Sequence, residues 1–463
     1  MADEGASSDL NTMKSSSTSK RPVLILGMEP RITIPVARSL RRHGVPVEVA
    51  SLSSTDPAPR SRCISHFVRL AEFSQSSSRL GDTLLQLISE RGYDMIMPVT
   101  DAALAAVSEQ DERLRSRIIL GCPAPAIVQR VLNKAMTLEI AQKAGIRVPR
   151  SYRITNLQDL QLLADRLEFP VVAKPYHKSA ETDFKVRYFK DFESLRSVIA
   201  ADSEFPHRVL LQEYCPGDGV GIEMLIHNGR PIATFQHRRM KEFPHTGGAS
   251  VVAIAESPDA ELVEQALTLL RALEWEGIAM VEFRFNRSDR RIALMEVNGR
   301  YWGTVSLPIN AGIDFPVYEY QIAHGENPSV PGSYRLGTRW RWTSGYVRRM
   351  RGLMTAAIKG SGRRSEWIAD LLQSPLDFLP PNRDAVWSWA DPGPATYEFL
   401  REIKRMTGSN LGAAIRRSFR RRGHSSAVAD AQPRGQQDFL SHEVAVKDRA
   451  LSTPHDSVRD KGY

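Results

Sequence analysis

The chain has 463 residues, 42% of them hydrophobic and 25% charged, with a formal net charge of +9. That length suits two or three domains, and it holds no run of about twenty apolar residues, which excludes a membrane-spanning helix. Three scattered cysteines, Cys63, Cys122 and Cys215, show no C-x-x-C spacing; this excludes a disulfide framework and points to a reducing cytoplasm.

Residues 1–20 are rich in serine, carry Asp and Glu, and lack an apolar core, so they read as a disordered leader and not as a secretory signal. Pro22 to Leu26 is a short buried strand ending at Gly27. Ile32 to Arg42 has helical periodicity, Gly44 stops it, and Val45 to Val49 is the next strand. This βαβ opening predicts a parallel sheet. Only Gly27 sits at the turn, so a G-x-G-x-x-G dinucleotide fingerprint is absent. Met95 to Val99 is another buried strand, which delivers Thr100 and Asp101 to its C-terminal end before a helix at 102–108. Asp101 reads as the N-cap of that helix. The alternative is a ligand-facing role, because strand ends in open α/β sheets are where ligands sit.

A helix runs from about Lys134 to Ala144 and is closed by Gly145 and Pro149; a second, amphipathic one covers 157–167. The strand from Phe169 ends at Lys174. An ammonium there must escape to water or meet an anion, since burying it unpaired is costly. Arg208 to Glu213 is a further strand. Strands 221–227 and 231–236 flank Asn228-Gly229, a hairpin signal. His237 to Glu242 is a dense charge cluster, read as a solvated face or as a lead into the paired-glycine loop 244–250, whose backbone N–H groups could approach phosphate. A helix at 259–273 follows.

Two neighbouring strands, Gly277 to Asn286 and Arg291 to Arg300, carry the most chemistry. In the first, Val281, Phe283 and Phe285 alternate with Glu282, Arg284 and Asn286. In the second, Met295 and Val297 oppose Glu296, Asn298 and Arg300. A hairpin centred on Asp289 would set Glu282 directly across from Glu296. Facing carboxylates repel. A divalent cation between them removes the conflict, and an all-oxygen donor set from Glu282, Glu296 and Asn298 suits Mg2+ or Mn2+ completed by phosphate oxygens. Arg300 is placed to hold an anion beside the metal. The alternative is two solvated glutamates on an exposed sheet face.

In this order, Asn133-Lys134 through Pro149, Phe169 to Pro175, Leu211 to Gly217, Phe235 to Gly248, Val281-Glu282-Phe283 and Met295 to Arg300 resemble the ATP-grasp superfamily. The likeness is to its carboxylate–amine ligase-like branch, near the carbamoyl-phosphate-synthase ATP-binding domain. The resemblance implies an α/β and α+β chain: a Rossmann-like domain (21–130) before an ATP-grasp domain (131–330). It implies ATP and Mg2+ (or Mn2+) as cofactors. Lys134 and Lys174 would contact the phosphates. Glu213, Tyr214 and Cys215 would hold the adenine. Glu282, Glu296 and Asn298 would hold the metal. Arg300 would steady the transferred phosphoryl group, and Arg238 and Arg239 would touch the γ-phosphate or a substrate carboxylate. The implied reaction joins a small-molecule carboxylate to an amine through an acyl phosphate. The segment Tyr176 to Lys185, where many members have a glycine-rich lid, has no glycine, and Asn286 stands where relatives often have Asp.

The basic excess gathers late in the chain. From Arg335 to Arg364 arginines and one lysine interleave with Trp340, Trp342, Tyr346 and Leu353, with no acidic residue. Residues 335–422 read as a small, mostly helical appendage. Its arginines lie in water or on an anionic membrane; nucleic acid is disfavoured because no binding motif accompanies the charge. Residues 423–463 read as a disordered tail. A homodimer is compatible with all of this. The alternative to a ligase is a non-catalytic ATP-binding protein held at a membrane by its basic C-terminal region.

Overall fold

The computed structural model describes residues 20–72, 76–175, 186–244, 248–358 and 364–408. The leader, the glycine-free segment after Pro175, His245 to Gly247 of the paired-glycine loop, and the tail with the basic stretch 415–422 lie outside them. The architecture below is that of the compact unit ending at Ile403.

Five apolar strands build the first sheet: β1 (Val23–Leu26), β2 (Val47–Ser51), β3 (His66–Arg69), β4 (Met95–Pro98) and β5 (Ile119–Leu120). All their pairings are parallel, in the order β3-β2-β1-β4-β5. Every residue of β1, β2 and β4 is buried, as expected for a sheet covered on both faces. The chain moves outward from β1 on one side and then returns to β4 on the other. The switch point therefore lies between β1 and β4, at Gly27 and Thr100. Gly27 has φ 105°, and a Cβ there would lie 2.7 Å from the Thr100 hydroxyl, so only glycine fits.

A smaller antiparallel sheet contains β6 (Ser151–Tyr152), β7 (Val171–Pro175), β8 (Arg187–Phe189) and β9 (Val209–Glu213), in the order β6-β9-β7-β8. The large sheet contains β10 (Asp218–His227), β11 (Arg230–Phe243), β12 (Ala249–Glu256), β13 (Gly277–Asn286), β14 (Arg291–Asn298), β15 (Arg339–Arg341) and β16 (Arg383–Asp384), in the order β14-β13-β10-β11-β12-β15-β16. The helix Ala260–Ala272 shares a core with Ile222, Val281, Phe283 and Phe285, so it covers one face of the large sheet.

Several expectations change. The helix after β4 is Asp101–Glu109, and its cap is Thr100, whose side chain accepts from Ala103 N; Asp101 is the first helical residue. The charge cluster from His237 is not a solvated face: it continues β11 without a break. The appendage is mostly helical over its described residues, as expected, and its two short strands β15 and β16 extend the large sheet.

Glu282 does lie opposite Glu296, but through a β-bulge. Asn286 pairs with Arg291 and Phe283 with Leu294, a register that would bring Met295 opposite Glu282. An extra residue at Met295 restores the facing glutamates, which is what such bulges do beside functional sites. Met295 consequently lines the same cleft as Glu296 instead of opposing it.

Candidate functional site

An open cleft of about 570 Å³ is bounded by the large sheet, the small sheet and Arg31 of the helix that follows β1. Its floor holds the two facing glutamates. The Asn298 amide nitrogen donates to both, at 3.2 Å to Glu282 Oε1 and 3.4 Å to Glu296 Oε1. Lys134, at the start of the helix Lys134–Lys143, lies 3.6 Å from Glu296. Lys174, near the end of β7, also lines the cleft. Burial and the neighbouring Lys134 bring its ammonium down to about 8, with Glu296 pulling the other way.

Arg239 reaches into the same floor. Its guanidinium is 2.5 Å from Glu282 and 3.4 Å from Glu242, and it donates to the Gly248 carbonyl at 3.1 Å. Burial opposes its charge, but Glu282, Glu242 and Glu296 outweigh that and hold its pKa above the ordinary arginine value. Arg238 is a correction. Alternation along β11 turns it to the opposite face, where it pairs with Glu256 at 2.6 Å and Asp218 at 3.8 Å, and it does not line the cleft.

Arg300 lies where the large sheet meets the parallel sheet. It donates to both carboxylate oxygens of Asp101, at 3.0 and 3.1 Å, and to the Tyr301 carbonyl at 2.9 Å. Asp101 thus serves the site and not the cap. At the other end, Glu213 lines the cleft with Tyr214 and Cys215. Arg147 holds its Oε1 at 2.7 Å, and the Arg150 backbone N–H donates to its Oε2 at 3.1 Å. Burial pushes the Cys215 thiol up, and the Glu213 carboxylate adds to the shift.

The donor set suits a hard cation: two convergent carboxylates, and an amide whose oxygen and nitrogen can exchange places by a flip. Among the described residues no group of three His, Cys, Asp or Glu side chains could hold a metal alone. A cation here would need further oxygens, such as those of a phosphate.

The sequence pattern assigned no site role to His237, Glu242 or Arg31, which line the cleft. For Asp101 it preferred the cap, with a ligand-facing role as the alternative. Alternation puts His237 and Arg239 on one face, but the register shifts at Lys241, which brings Glu242 to the cleft where a period of two would not.

A model for an ATP-grasp family described as "in the biosynthetic pathway with Ter operon" matches residues 205–346. A carbamoyl-phosphate synthase of Methanobrevibacter smithii is 26% identical over 233 residues, covering 48% of this chain and 61% of that protein. A D-alanine–D-alanine ligase A of Bacillus cereus is 27% identical over 177 residues, covering 36% and 56%. The chain thus spans less than two thirds of these relatives. Among solved structures, an L-amino acid ligase from Bacillus licheniformis superposes with a TM-score of 0.52 at 20% identity, covering 66% of this chain and 75% of that one. A biotin carboxylase from Campylobacter jejuni gives 0.53 at 14% identity, covering 68% and 74%. The chain is thus similar to ATP-grasp proteins over residues 205–346 and shares the fold of the ATP-grasp ligase and carboxylase structures.

Proposed function

We propose that the protein is an ATP-dependent ligase that joins a small-molecule carboxylate to an amine through an acyl phosphate, with Mg2+, in the cytoplasm. One observation carries the reading: Lys134, Lys174, Arg239, Arg300 and the facing Glu282 and Glu296 line a single cleft. Carbon–nitrogen ligases by name, the D-alanine–D-alanine and L-amino acid ligases, are among the similar proteins.

A carboxylate is a poor electrophile. In the proposed reaction its oxygen attacks the γ-phosphorus of ATP, the bond to ADP breaks, and the resulting acyl phosphate is open to an amine. Such a transfer needs alignment and charge neutralisation more than a protein nucleophile. Lys134 and Lys174 would hold the phosphates, and Glu213, Tyr214 and Cys215 the adenine. Glu282, Glu296 and Asn298 would hold Mg2+, which neutralises phosphate charge when bound. Arg239 and Arg300 would steady the transferred group. Arg238 has no part, being committed to Glu256. Among the described residues, Arg341, Arg348 and Arg349 are paired with Asp384, Glu402 and Asp370, which takes these three away from an anionic membrane.

The test is ADP release with Mg2+ across the twenty standard amino acids and D-alanine, singly and in pairs. Release that depends on an acid and an amine is expected. ATP bound without release under any pairing would favour the non-catalytic alternative.

A further inference from the structure

His237 stands in one lateral row with the facing glutamates. Across the large sheet, His237 of β11 pairs with Gly221 of β10, Gly221 with Glu282 of β13, and Glu282 with Glu296 of β14. A Cβ at Gly221 would lie 2.4 Å from His237 Cε1. The missing side chain at Gly221 is what lets the imidazole lean over β10 toward the glutamates.

The ring is 1% exposed, and its Nδ1 is 2.5 Å from Oε1 of Glu223, which is fully buried. Its Nε2 is buried and has no hydrogen-bond partner among the described residues, and His237 lines the cleft. Buried polar atoms are nearly always satisfied. The Trp302 indole nitrogen and the Thr304 hydroxyl, on other cleft-lining residues, are unpartnered as well. All three residues line the one cleft. A carboxylate that fixes one imidazole nitrogen and leaves the other buried without a partner among the described residues, on a side chain that lines the cleft, is the arrangement of an oriented general base.

We infer that His237, oriented by Glu223, is the proton acceptor for the amine substrate. The inference rests on the ligase reading above and adds the group that activates the second substrate. At neutral pH an amino-acid amine is an ammonium and cannot attack. Nε2 takes one proton from it. The freed nitrogen lone pair forms the C–N bond at the acyl-phosphate carbonyl carbon. The C–O bond to phosphorus breaks with its electron pair on the departing phosphate, and a second N–H proton leaves with that phosphate. His237 returns its proton to water.

Hydroxylamine separates the two half-reactions, because it is unprotonated at neutral pH and reacts with acyl phosphates without a catalyst. The experiment measures hydroxamate and amide formation by the full chain with Mg2+ and ATP. It uses the twenty standard amino acids and D-alanine as acids, with hydroxylamine or the same amino acids as the amine. His237→Asn keeps a donor to Glu223 but removes Nε2. It should cut amide formation about 100-fold while hydroxamate stays within about threefold of wild type. Glu223→Gln should cut amide about tenfold, again sparing hydroxamate, and decides the matter if His237→Asn fails to fold. A parallel fall in both products, or unchanged amide formation, would overturn the assignment. Absence of hydroxamate from the wild-type chain with every acid would instead defeat the underlying ligase reading.

Discussion

Two arginine-rich regions of this molecule use the same side chain for different ends. In the C-terminal region, Arg349 is 2.7 Å from Asp370, which Lys241 also approaches at 3.3 Å, and Arg348 is 2.9 Å from Glu402. These pairs close on themselves. In the cleft, Arg239 shares Glu282 with the Asn298 amide and keeps an unpartnered buried Nε. Lys174 is left with a lowered pKa beside a second lysine. The first region holds helices to a sheet; the second lines the cleft where the proposed function puts ATP. A count of basic residues cannot tell these apart, but their partners can.

Substitutions should separate the two regions cleanly. Glu296→Gln should lower ATP turnover about 10³-fold while leaving the melting temperature nearly unchanged; full activity in that variant would remove the glutamate pair from the site. The adjacent arginines give the sharper contrast. Arg239→Ala should cost about 10²-fold in turnover, whereas Arg238→Ala, on the other face of the same strand, should stay within about threefold. Equal losses would mean that the alternation along β11 does not govern function. Arg349→Ala should do the reverse of the cleft variants. Removing one partner of a mostly buried pair costs about 3 kcal/mol, visible as a lowered urea midpoint, with turnover of the remaining folded protein near wild type.

The smallest effect concerns pH. The folded value for Lys174, about 8, lies below the ordinary lysine value. Between the two, the unfolded chain binds a proton that the folded chain has lost, so this group makes stability rise with pH across that window. Phosphate binding needs the ammonium and runs the other way: affinity for ATP is full below pH 8 and should weaken about tenfold by pH 9. Lys174→Arg, which does not titrate there, should flatten that dependence. An unchanged pH profile in this variant would assign the titration to another group.

Much of this was legible from local pattern. The buried runs of β1 and β4, the Asn228-Gly229 hairpin and the facing glutamates follow from apolar periodicity and turn chemistry. The bulge left a trace that two-residue alternation alone obscures: Ile292 and Leu294 are core, and the next core residue on that face is Val297, three positions on. Asp101 could be read as a cap because its type fits; its true partner, Arg300, is 199 residues away. The C-terminal arginines looked unpaired because their acids come from beyond the window, at Asp370, Asp384 and Glu402. Arg38, in the first domain, is likewise matched by Asp391, 353 residues on. Local pattern reports which face a side chain takes, whereas long-range charge partners depend on the assembled fold.

Calorimetric titration of the full chain with ATP, with and without Mg2+, tests most directly whether the lysines and the glutamate pair grip one magnesium–nucleotide complex. Binding that weakens at least tenfold when Mg2+ is chelated, and that loses this dependence in Glu296→Gln, is the predicted result. ATP affinity indifferent to Mg2+, or no ATP binding at all, would contradict it.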